Sequence, residues 1–351
     1  MNNRNVSASN GGGVLSSRNK IHLTHKYEDI VCVSNLLSAW QEFEQGKSKK
    51  TDVVEFSRHL MDHILALHRD LVNLTYCHGG YREFRINDPK PRVIHKASVR
   101  DRLVHHAVYR ILYPFFDRTF IADSFSCRNN KGTHKAINRF RKFGRQVSHN
   151  HTRTVWVLKC DIRKFFASVD QRILLHILDV YIPDKKIVNL LYNIIASFSA
   201  TPYTAVGLPL GNLTSQLFSN IYLNQFDQWV KHKIKVKHYI RYADDFVFLS
   251  DNRNALLSII SELQNFLTEK LKLQLHPNKV FIKTIASGVD FLGWILFPSH
   301  RVLRKVTKQR MLRRLAKNFK PETLQSYLGM LSHGNTFRLR QSIKNDFWLL
   351  N

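Results

Sequence analysis

Two adjacent aspartates, Asp244 and Asp245, stand between two short runs of β-favouring residues at 238–242 and 246–249. Paired runs of this kind, separated by a few polar residues, predict a β-hairpin. Any fold of this chain therefore has to hold both carboxylates at the tip of that hairpin. Such clustering is electrostatically costly, and it becomes favourable when divalent cations bridge the carboxylates.

A third aspartate, Asp161, follows another apolar run at residues 155–158, which favours a buried strand. Because Asp161 lies far from Asp244 in the chain, adjacent strands would have to assemble the three carboxylates. Their hard oxygen ligands suit Mg²⁺ and predict metal-assisted phosphoryl or nucleotidyl transfer. The alternative is that residues 242–245 form only a polar turn.

The charge of the chain indicates the kind of partner. It has 54 Lys and Arg against 26 Asp and Glu, a net charge of +28 at pH 7. Nucleic acid is the first candidate for a polyanionic partner. An anionic membrane is the alternative, but no stretch approaches about 18 consecutive apolar residues, and residues 1–5 lack the apolar core of a signal peptide. We therefore expect a cytoplasmic protein that uses no membrane.

Local patterns predict the elements that surround the three aspartates. Helical spacing of apolar residues occurs at 52–73, 100–116, 212–232 and 256–271. Strand patterns occur at 81–94, 280–285 and 289–296. Residues 139–153 are polar and basic and predict a solvated connection, and the last fifty residues are predicted to be helical and basic.

The aspartate segments resemble those of a known family. Residues 157–166 resemble the first palm aspartate segment of reverse transcriptases, and Tyr242-Ala243-Asp244-Asp245 resembles their catalytic Tyr-x-Asp-Asp box. Four further motifs match in the family order, and the resemblance covers about residues 80–297. These motifs are Lys90–Arg92 with Ser98–Arg102 in the fingers, the Gly207–Gln216 loop and helix, Leu275–Lys279, and the Phe291–Trp294 primer-grip hairpin.

The resemblance implies an α+β fold of the right-hand polymerase type, with fingers, an antiparallel-sheet palm and a short helical thumb. Residues 1–20, which are rich in Asn, Ser and Gly, are expected to form a disordered tail. The expected domains are fingers at 21–152 with part of 180–206, palm at 153–300 and thumb at 301–351. The implied activity is RNA-directed DNA polymerisation on a template RNA, with a primer or cDNA strand and dNTPs as substrates.

The family correspondence also assigns the catalytic centre. Asp161, Asp244 and Asp245 are the implied catalytic residues. With the backbone carbonyl of Ile162, they are expected to hold two Mg²⁺ ions, for which Mn²⁺ can substitute. One ion would activate the primer 3′-hydroxyl and the other would hold the triphosphate.

Other residues are assigned to substrates by the same correspondence. The expected nucleotide-binding residues are Lys90, Arg92, Phe166, Leu210, Gly211, Gln216 and Lys279. Lys90 and Arg92 would close over the triphosphate, and Phe166 would exclude a 2′-hydroxyl. Adjacent Phe165 would pack in the core, since neighbouring residues of an extended segment point to opposite sides. For Lys279, two roles stay open: a position near the leaving pyrophosphate and a place in a structural turn. The expected primer and template contacts are Tyr242, Gly293, Trp294, Arg304, Lys305, Lys308 and Arg310.

A departure within one motif indicates a subfamily. Reverse transcriptases of group II introns and retrons mostly carry Gln-Gly-x-x-x-Ser-Pro where this chain has Leu210–Gln216, ending in Ser-Gln. That form resembles the enzymes of diversity-generating retroelements, as do residues 101–107 and 131–134. Such enzymes copy a template-repeat RNA into cDNA with errors opposite adenine, diversify a target gene and work with a small basic accessory protein. Replacing a glutamine by Leu210 removes a polar constraint of about 1 kcal/mol.

Two other possibilities stay open within this resemblance. One is a group II intron, retron or defence-associated reverse transcriptase, the last of which extends DNA without a template. The other is a nonenzymatic, maturase-like RNA-binding protein. The intact aspartates at 161, 244 and 245 argue against the second, because a pure binder of an anionic ligand has no use for clustered carboxylates. A bacterial, archaeal or phage origin is expected in each case.

Overall fold

The computed structural model describes residues 21–88, 90–317 and 320–348. The tail expected at residues 1–20 lies outside these ranges.

The described helices are α1 (Tyr27–Val31), α2 (Val33–Glu44), α3 (Thr51–Arg58), α4 (Leu60–Val72), α5 (Val99–Asp117), α6 (Thr133–Val147), α7 (Phe165–Ser168), α8 (Gln171–Tyr181), α9 (Lys185–Ala196), α10 (Leu213–His232), α11 (Arg253–Leu271), α12 (Lys305–Lys317), α13 (Pro321–Leu331) and α14 (Phe337–Trp348). The described strands are β1 (Arg82–Ile86), β2 (Arg92–Lys96), β3 (Trp156–Asp161), β4 (Tyr239–Tyr242), β5 (Asp245–Ser250), β6 (Phe281–Thr284), β7 (Val289–Phe291), β8 (Trp294–Leu296) and β9 (Arg301–Leu303).

The centre of the molecule is a four-stranded antiparallel sheet with the strand order β4-β5-β3-β6, here called the palm sheet. The hairpin expected around Asp244 and the strand expected before Asp161 are both present in it. β5 lies between β4 and β3, so the two aspartate-bearing segments are neighbours. An antiparallel sheet backed by helices agrees with the predicted palm.

Both faces of the palm sheet are buried, which explains why its strands are apolar almost throughout. Leu158, Phe246 and Phe248 on one face belong to a large core with α10 and α11. Val157 and Val247, which alternate with them, belong to a second core with α6 and the β7–β9 sheet. Side chains of successive strand residues point to opposite faces, so one strand contributes to both cores.

The helix α6 corrects the prediction of a solvated connection at residues 139–153. It extends to Val147 and buries Ile137, Phe140 and Phe143 against the palm sheet. This spacing of three to four residues is typical of an amphipathic helix. The many basic residues between these apolar positions obscured the pattern in the sequence, because they occupy the solvent face of the same helix.

Three smaller differences concern segment boundaries. The helix expected at 52–73 is divided into α3 and α4 at His59, where φ is −123°. The segment after residue 300 begins with β9, which pairs with β8 before the helices start. The extended segment expected at Phe165 and Phe166 is the single helical turn α7.

The remaining parts surround the palm sheet. β1 and β2 form a two-stranded hairpin with largely exposed side chains, as expected for residues 81–94. The three-stranded sheet β7-β8-β9 connects the palm sheet to the C-terminal helices α12 to α14. None of the helices in the described ranges combines the length and the apolar character needed to cross a membrane.

A buried ion pair lies under the hairpin of β4 and β5. Both Arg241 and Asp227 are 0% exposed. The Arg241 guanidinium donates to both carboxylate oxygens of Asp227, from Nε at 2.8 and 2.9 Å and from Nη2 at 2.7 Å. The hydroxyl of Tyr239 donates to the same carboxylate at 2.7 Å. The pair fixes α10 to β4, because each charge would otherwise be buried without a partner.

Asp227→Asn removes the buried anion and leaves the Arg241 cation unpaired. We expect the free energy of unfolding to fall by about 3–5 kcal/mol. Asp251→Asn is the matched control, because Asp251 and Arg153 form an exposed ion pair at 3.7 Å. Loss of such a pair should lower the free energy of unfolding by at most about 1 kcal/mol. Urea unfolding followed by circular dichroism measures both, and equal midpoints would contradict the assigned role.

Candidate active site

The turn between β4 and β5 has only two central residues, Ala243 and Asp244. Ala243 adopts a positive φ of 54° and Asp244 does not, which is the pattern of a type II′ hairpin turn. The buried guanidinium of Arg241 donates from Nη1 to the Ala243 carbonyl at 3.2 Å. The ion pair with Asp227 therefore supports the turn that carries Asp244.

The register of the palm sheet brings the predicted aspartates together. Asp161, the last residue of β3, lies directly opposite Asp245, the first residue of β5. Directly opposed residues of an antiparallel pair have Cβ atoms about 4.5–5.5 Å apart on the same face. The Ile162 N–H donates to the Asp244 carbonyl at 3.1 Å, which holds the turn against the end of β3.

Two lysines contact these carboxylates. Lys279 Nζ lies 2.8 Å from Asp161 Oδ1, and Lys159 Nζ lies 3.2 Å from Asp245 Oδ2. Lys159 Nζ also donates to the Asp290 carbonyl at 2.9 Å. The sequence analysis identified Lys279 but not Lys159. The strand alternation could have indicated Lys159, because a residue two positions before Asp161 lies on the same face of β3.

Burial raises the pKa of two carboxyl groups of the site, those of Asp244 and Asp245. Burial raises the pKa of Asp245 to about 7; the Lys159 cation opposes this shift, and the Asp161 and Asp244 charges add to it. Burial and the Asp161 charge also raise the pKa of Asp244, while Lys279 and Arg92 oppose that shift. Among the residues that the structure describes, none forms a hydrogen bond with the buried Asp245 Oδ1. The neighbouring cations thus do not fully offset the burial of Asp244 and Asp245 and the repulsion among the carboxylates.

These residues fit a divalent cation in their chemistry. Within the described ranges, no group of three or more His, Cys, Asp or Glu side chains is arranged to hold a metal ion by itself. Carboxylate oxygens are hard ligands, and Mg²⁺ commonly binds through one or two carboxylates while water and substrate phosphates complete its shell. The partnerless Asp245 Oδ1 and the unbalanced charge near Asp161 and Asp244 are consistent with such a cation.

The hairpin of β1 and β2, here called the fingers hairpin, forms a cradle with the loop before α10. The His95 N–H donates to the Leu210 carbonyl at 3.0 Å, and Asn212 Nδ2 donates to the His95 carbonyl at 3.1 Å. Gly211 has a φ of 111°, and a Cβ there would lie 2.8 Å from Ile94 Cγ2, so this position requires glycine. The resulting cavity of about 410 Å³ is lined by side chains that include Phe84, Ile94, Lys96 and Gln216.

The two adjacent phenylalanines have different environments. Phe165 is only 2% exposed and packs in the large core, as expected. Phe166 is partly exposed, and its carbonyl accepts a hydrogen bond from the Leu208 N–H at 2.7 Å. Phe166 is therefore held beside the loop that carries Leu210 and Gly211.

The predicted triphosphate lid lies at the tip of the fingers hairpin. Lys90 and Arg92 are exposed. The Arg92 charge is close enough to Asp244 to oppose the rise in its pKa. Arg92 therefore lies near the turn that carries Asp244.

The predicted primer and template residues divide into two groups. Trp294 is 2% exposed, which corrects its assignment as a direct contact: its indole packs closely against Gly334 and lies under the Arg301 guanidinium at 5.4 Å. Tyr242 accepts a hydrogen bond from Thr133 Oγ1 at 3.2 Å.

The other members of the set lie in the turn between β7 and β8 and at the start of α12. Gly293 has a φ of 86°, and its carbonyl accepts a hydrogen bond from the Arg304 N–H at 3.1 Å. Arg304 also pairs with Asp290 at 3.1 Å. Lys305 and Lys308 are exposed. Arg310 Nε lies 3.4 Å from Asp88 Oδ1, so α12 contacts the connection between β1 and β2.

Comparisons with known proteins agree with this geometry. Residues 86–296 match the family model for reverse transcriptase (RNA-dependent DNA polymerase). Protein YkfC of Escherichia coli K12 is 28% identical over 256 residues, which cover 62% of this chain and 64% of YkfC. The group II intron-encoded protein LtrA of Lactococcus lactis is 23% identical over 291 residues, covering 64% of this chain and 47% of LtrA. The chain thus spans less than two thirds of the length of either relative.

A solved structure supports the fold. Telomerase from Candida albicans, in complex with the TWJ fragment of telomeric RNA, superposes with a TM-score of 0.51 at 12% identity. The match covers 73% of this chain and 51% of the telomerase chain. Together with the palm sheet, it shows that the fold is that of a right-hand polymerase. Because the family model matches more than half of the sequence, this chain belongs to the reverse transcriptase (RNA-dependent DNA polymerase) family.

Proposed function

We propose that this chain is an RNA-directed DNA polymerase, which extends a primer along an RNA template with dNTPs. The observation that carries the proposal is the register that places Asp161 opposite Asp245 and beside the Asp244 turn. This arrangement lies within the residues that match the family. A strongly cationic chain is suited to binding the template and the primer through their phosphates.

The proposed division of labour follows from the contacts of each side chain. Asp161, Asp244, Asp245 and the carbonyl of Ile162 would hold two Mg²⁺ ions, for which Mn²⁺ can substitute. Bound there, the ions would lower the pKa of the primer 3′-hydroxyl and neutralise charge on the triphosphate. Lys159 orients Asp245 through their ion pair. Arg92 and Lys90 would bind the triphosphate from the fingers side.

Lys279 connects the segment 275–279 to Asp161 at the end of β3. Its ammonium contacts Asp161 at 2.8 Å, and the neighbouring His276 N–H donates to the Asp161 carbonyl at 2.8 Å. The segment 275–279 is thus joined to the end of β3. We propose that Lys279 moves from Asp161 to the pyrophosphate when the substrate binds, since a flexible ammonium can exchange one anionic partner for another.

For the cellular role we propose cDNA synthesis from a template-repeat RNA, with errors at adenine that diversify a target gene. The support is the Leu210–Gln216 motif, whose Gly211 and Gln216 line the cradle described above. A small basic accessory protein would be a partner in this role. Group II intron-encoded relatives support intron mobility as the second candidate.

A nonenzymatic RNA-binding role is less well supported. Burying Asp244 and Asp245 beside each other raises the pKa of both groups, which is a cost to folding. A protein that only bound RNA would gain nothing from this cost at a surface meant for phosphates.

Asp244→Asn tests the proposed centre. It keeps the shape of the turn and removes one anionic ligand, so the primer-extension rate with Mg²⁺ should fall about 100-fold or more. Asp251→Asn, which removes an exposed carboxylate, should extend the primer at the wild-type rate. An Asp244→Asn rate equal to that of this control would exclude the site. For the wild type, we expect EDTA to abolish primer extension and added Mg²⁺ to restore it.

Phe166→Ala tests the sugar gate. Because the ring would lie where a 2′-hydroxyl projects, its removal should lower the preference for dCTP over CTP, measured as the ratio of kcat/KM values, by about 10-fold or more. Phe166→Tyr keeps a ring and should preserve the ratio. A ratio unchanged in Phe166→Ala would assign this side chain to packing alone.

Sequencing of the cDNA tests the proposed role in diversification. Misincorporation should be several-fold more frequent opposite template adenine than opposite the other bases. Leu210→Gln restores a hydrogen-bonding group worth about 1 kcal/mol, and the error frequency at adenine should fall about fivefold. Equal error rates at all four bases would favour the intron role, and product made without any template would favour a defence-associated enzyme.

A further inference from the structure

The segment around α6 has an unusual charge composition. Between Asp123 and Asp161, residues 124–160 contain nine Lys or Arg and no Asp or Glu. Of these cations, Lys159 belongs to the proposed active site through its ion pair with Asp245. Some of them have clear internal partners: Arg139, for example, pairs with Asp123 at 2.6 Å.

The outer face of α6 carries cations of a different kind. Arg141, Lys142, Arg145 and His149 are all exposed, and we call this set the α6 basic face. It lines an open groove of about 740 Å³ together with Asn138, Gln146 and Asn150. In the part of the chain that the structure describes, neither arginine nor the lysine of this face forms an ion pair with a carboxylate.

The electrostatic field at this face is unbalanced. Arg141 Nη2 donates to the Ser299 carbonyl at 3.5 Å, which brings it close to Arg301. The Arg301 guanidinium is held by the carbonyl of His333 and by Asn138 Oδ1 at 3.3 Å. Burial and the positive charge of Arg141 both lower the pKa of Arg301. Like charges are therefore fixed near one another, and an anion in the groove would relieve their repulsion.

The position of the face separates it from the catalytic turn. α6 begins at Thr133, whose hydroxyl contacts Tyr242 beside the catalytic turn. Its far end packs against Ile285, which continues from the opposite end of the palm sheet. At 1.5 Å per residue, Arg141 to Arg145 lie roughly 12–18 Å along the helix axis from Thr133, and His149 follows the end of the helix. A ligand on this face leaves the active site free.

The chemistry of the groove identifies the ligand. Its lining consists of guanidinium, ammonium, amide and imidazole groups, and it offers no Phe, Tyr or Trp ring on which an unpaired base could stack. Base-paired RNA presents phosphates and 2′-hydroxyls at its surface and is recognised through them. We propose that the α6 basic face binds the phosphate backbone of a base-paired RNA segment outside the polymerisation cleft.

This inference rests on the proposed function for the identity of the ligand as RNA, and it adds a docking site for a folded part of the RNA that is not being copied. An RNA held by both the cleft and the α6 basic face would stay attached while the template strand advances through the active site.

The test uses the full chain with Arg141→Gln, Lys142→Gln and Arg145→Gln combined. A fluorescent RNA hairpin of 24 base pairs is titrated in the presence of a saturating, unlabelled short primer–template that occupies the cleft. The Kd for the hairpin should rise about 10-fold or more, and the slope of log K against log salt should become less steep by about 2–3, as expected for three lost phosphate contacts.

A matched control removes the same charge elsewhere. Lys185 and Lys186 are exposed and already contact Asp179 and Glu28, and Lys270 is exposed on α11. The combined variant Lys185→Gln, Lys186→Gln and Lys270→Gln should bind the hairpin within about twofold of the wild type, because these sites do not form one basic face. Equal Kd values for the two triple variants would overturn the inference.

Two further readings separate this inference from the proposed function. Extension of the short primer–template should be unchanged in the α6 variant, since that substrate does not reach the face. If the wild type does not extend any primer, but the α6 variant still loses hairpin binding relative to it, the proposed polymerase activity is refuted and the RNA site is retained. Equally tight binding of a DNA hairpin of the same sequence to the wild type would overturn the assignment of the ligand as RNA.

Discussion

The hydrogen-bonded register between β3 and β5 is the constraint on which the site depends. A shift of one residue would move Asp161 away from Asp245 and turn its side chain to the opposite face, since side chains alternate along a strand. The register is specified by packing, because both faces of these strands are buried in separate cores. The Arg241–Asp227 pair adds a second restraint, since it joins α10 to β4 and supports the turn of Asp244.

Charge pairing explains how so cationic a chain holds acidic groups in its interior. Asp227 is fully paired with Arg241 and serves the fold. Within the described part of the chain, Asp161 and Asp245 each contact a single lysine, and one buried oxygen of Asp245 has no hydrogen-bond partner. The difference separates a structural acid from the proposed catalytic ones. The charge of the first is balanced within the protein, whereas the others would leave capacity for a cation and for substrate phosphate.

Prediction from sequence succeeded where the signal was local. The hairpin around Asp244, the strand before Asp161 and the exposed fingers hairpin were all indicated by short-range patterns. It failed at α6, where basic residues obscured a helical period, and at Trp294, whose large ring is buried by contacts with residues some 40 positions later. Long-range packing of this kind has no counterpart in a local pattern.

The sequence by itself determined the acidic hairpin tip, the excess of positive charge and the family motifs, because each depends on residue type and on spacing over a few positions. Only the tertiary structure decided which distant groups meet. Strand order placed Asp161 opposite Asp245, and helix packing placed Asp227 under Arg241 and left Arg141 and Arg145 facing solvent. Pairing between remote segments is chosen by burial and hydrogen bonding over the whole molecule, so no short stretch of sequence carries it.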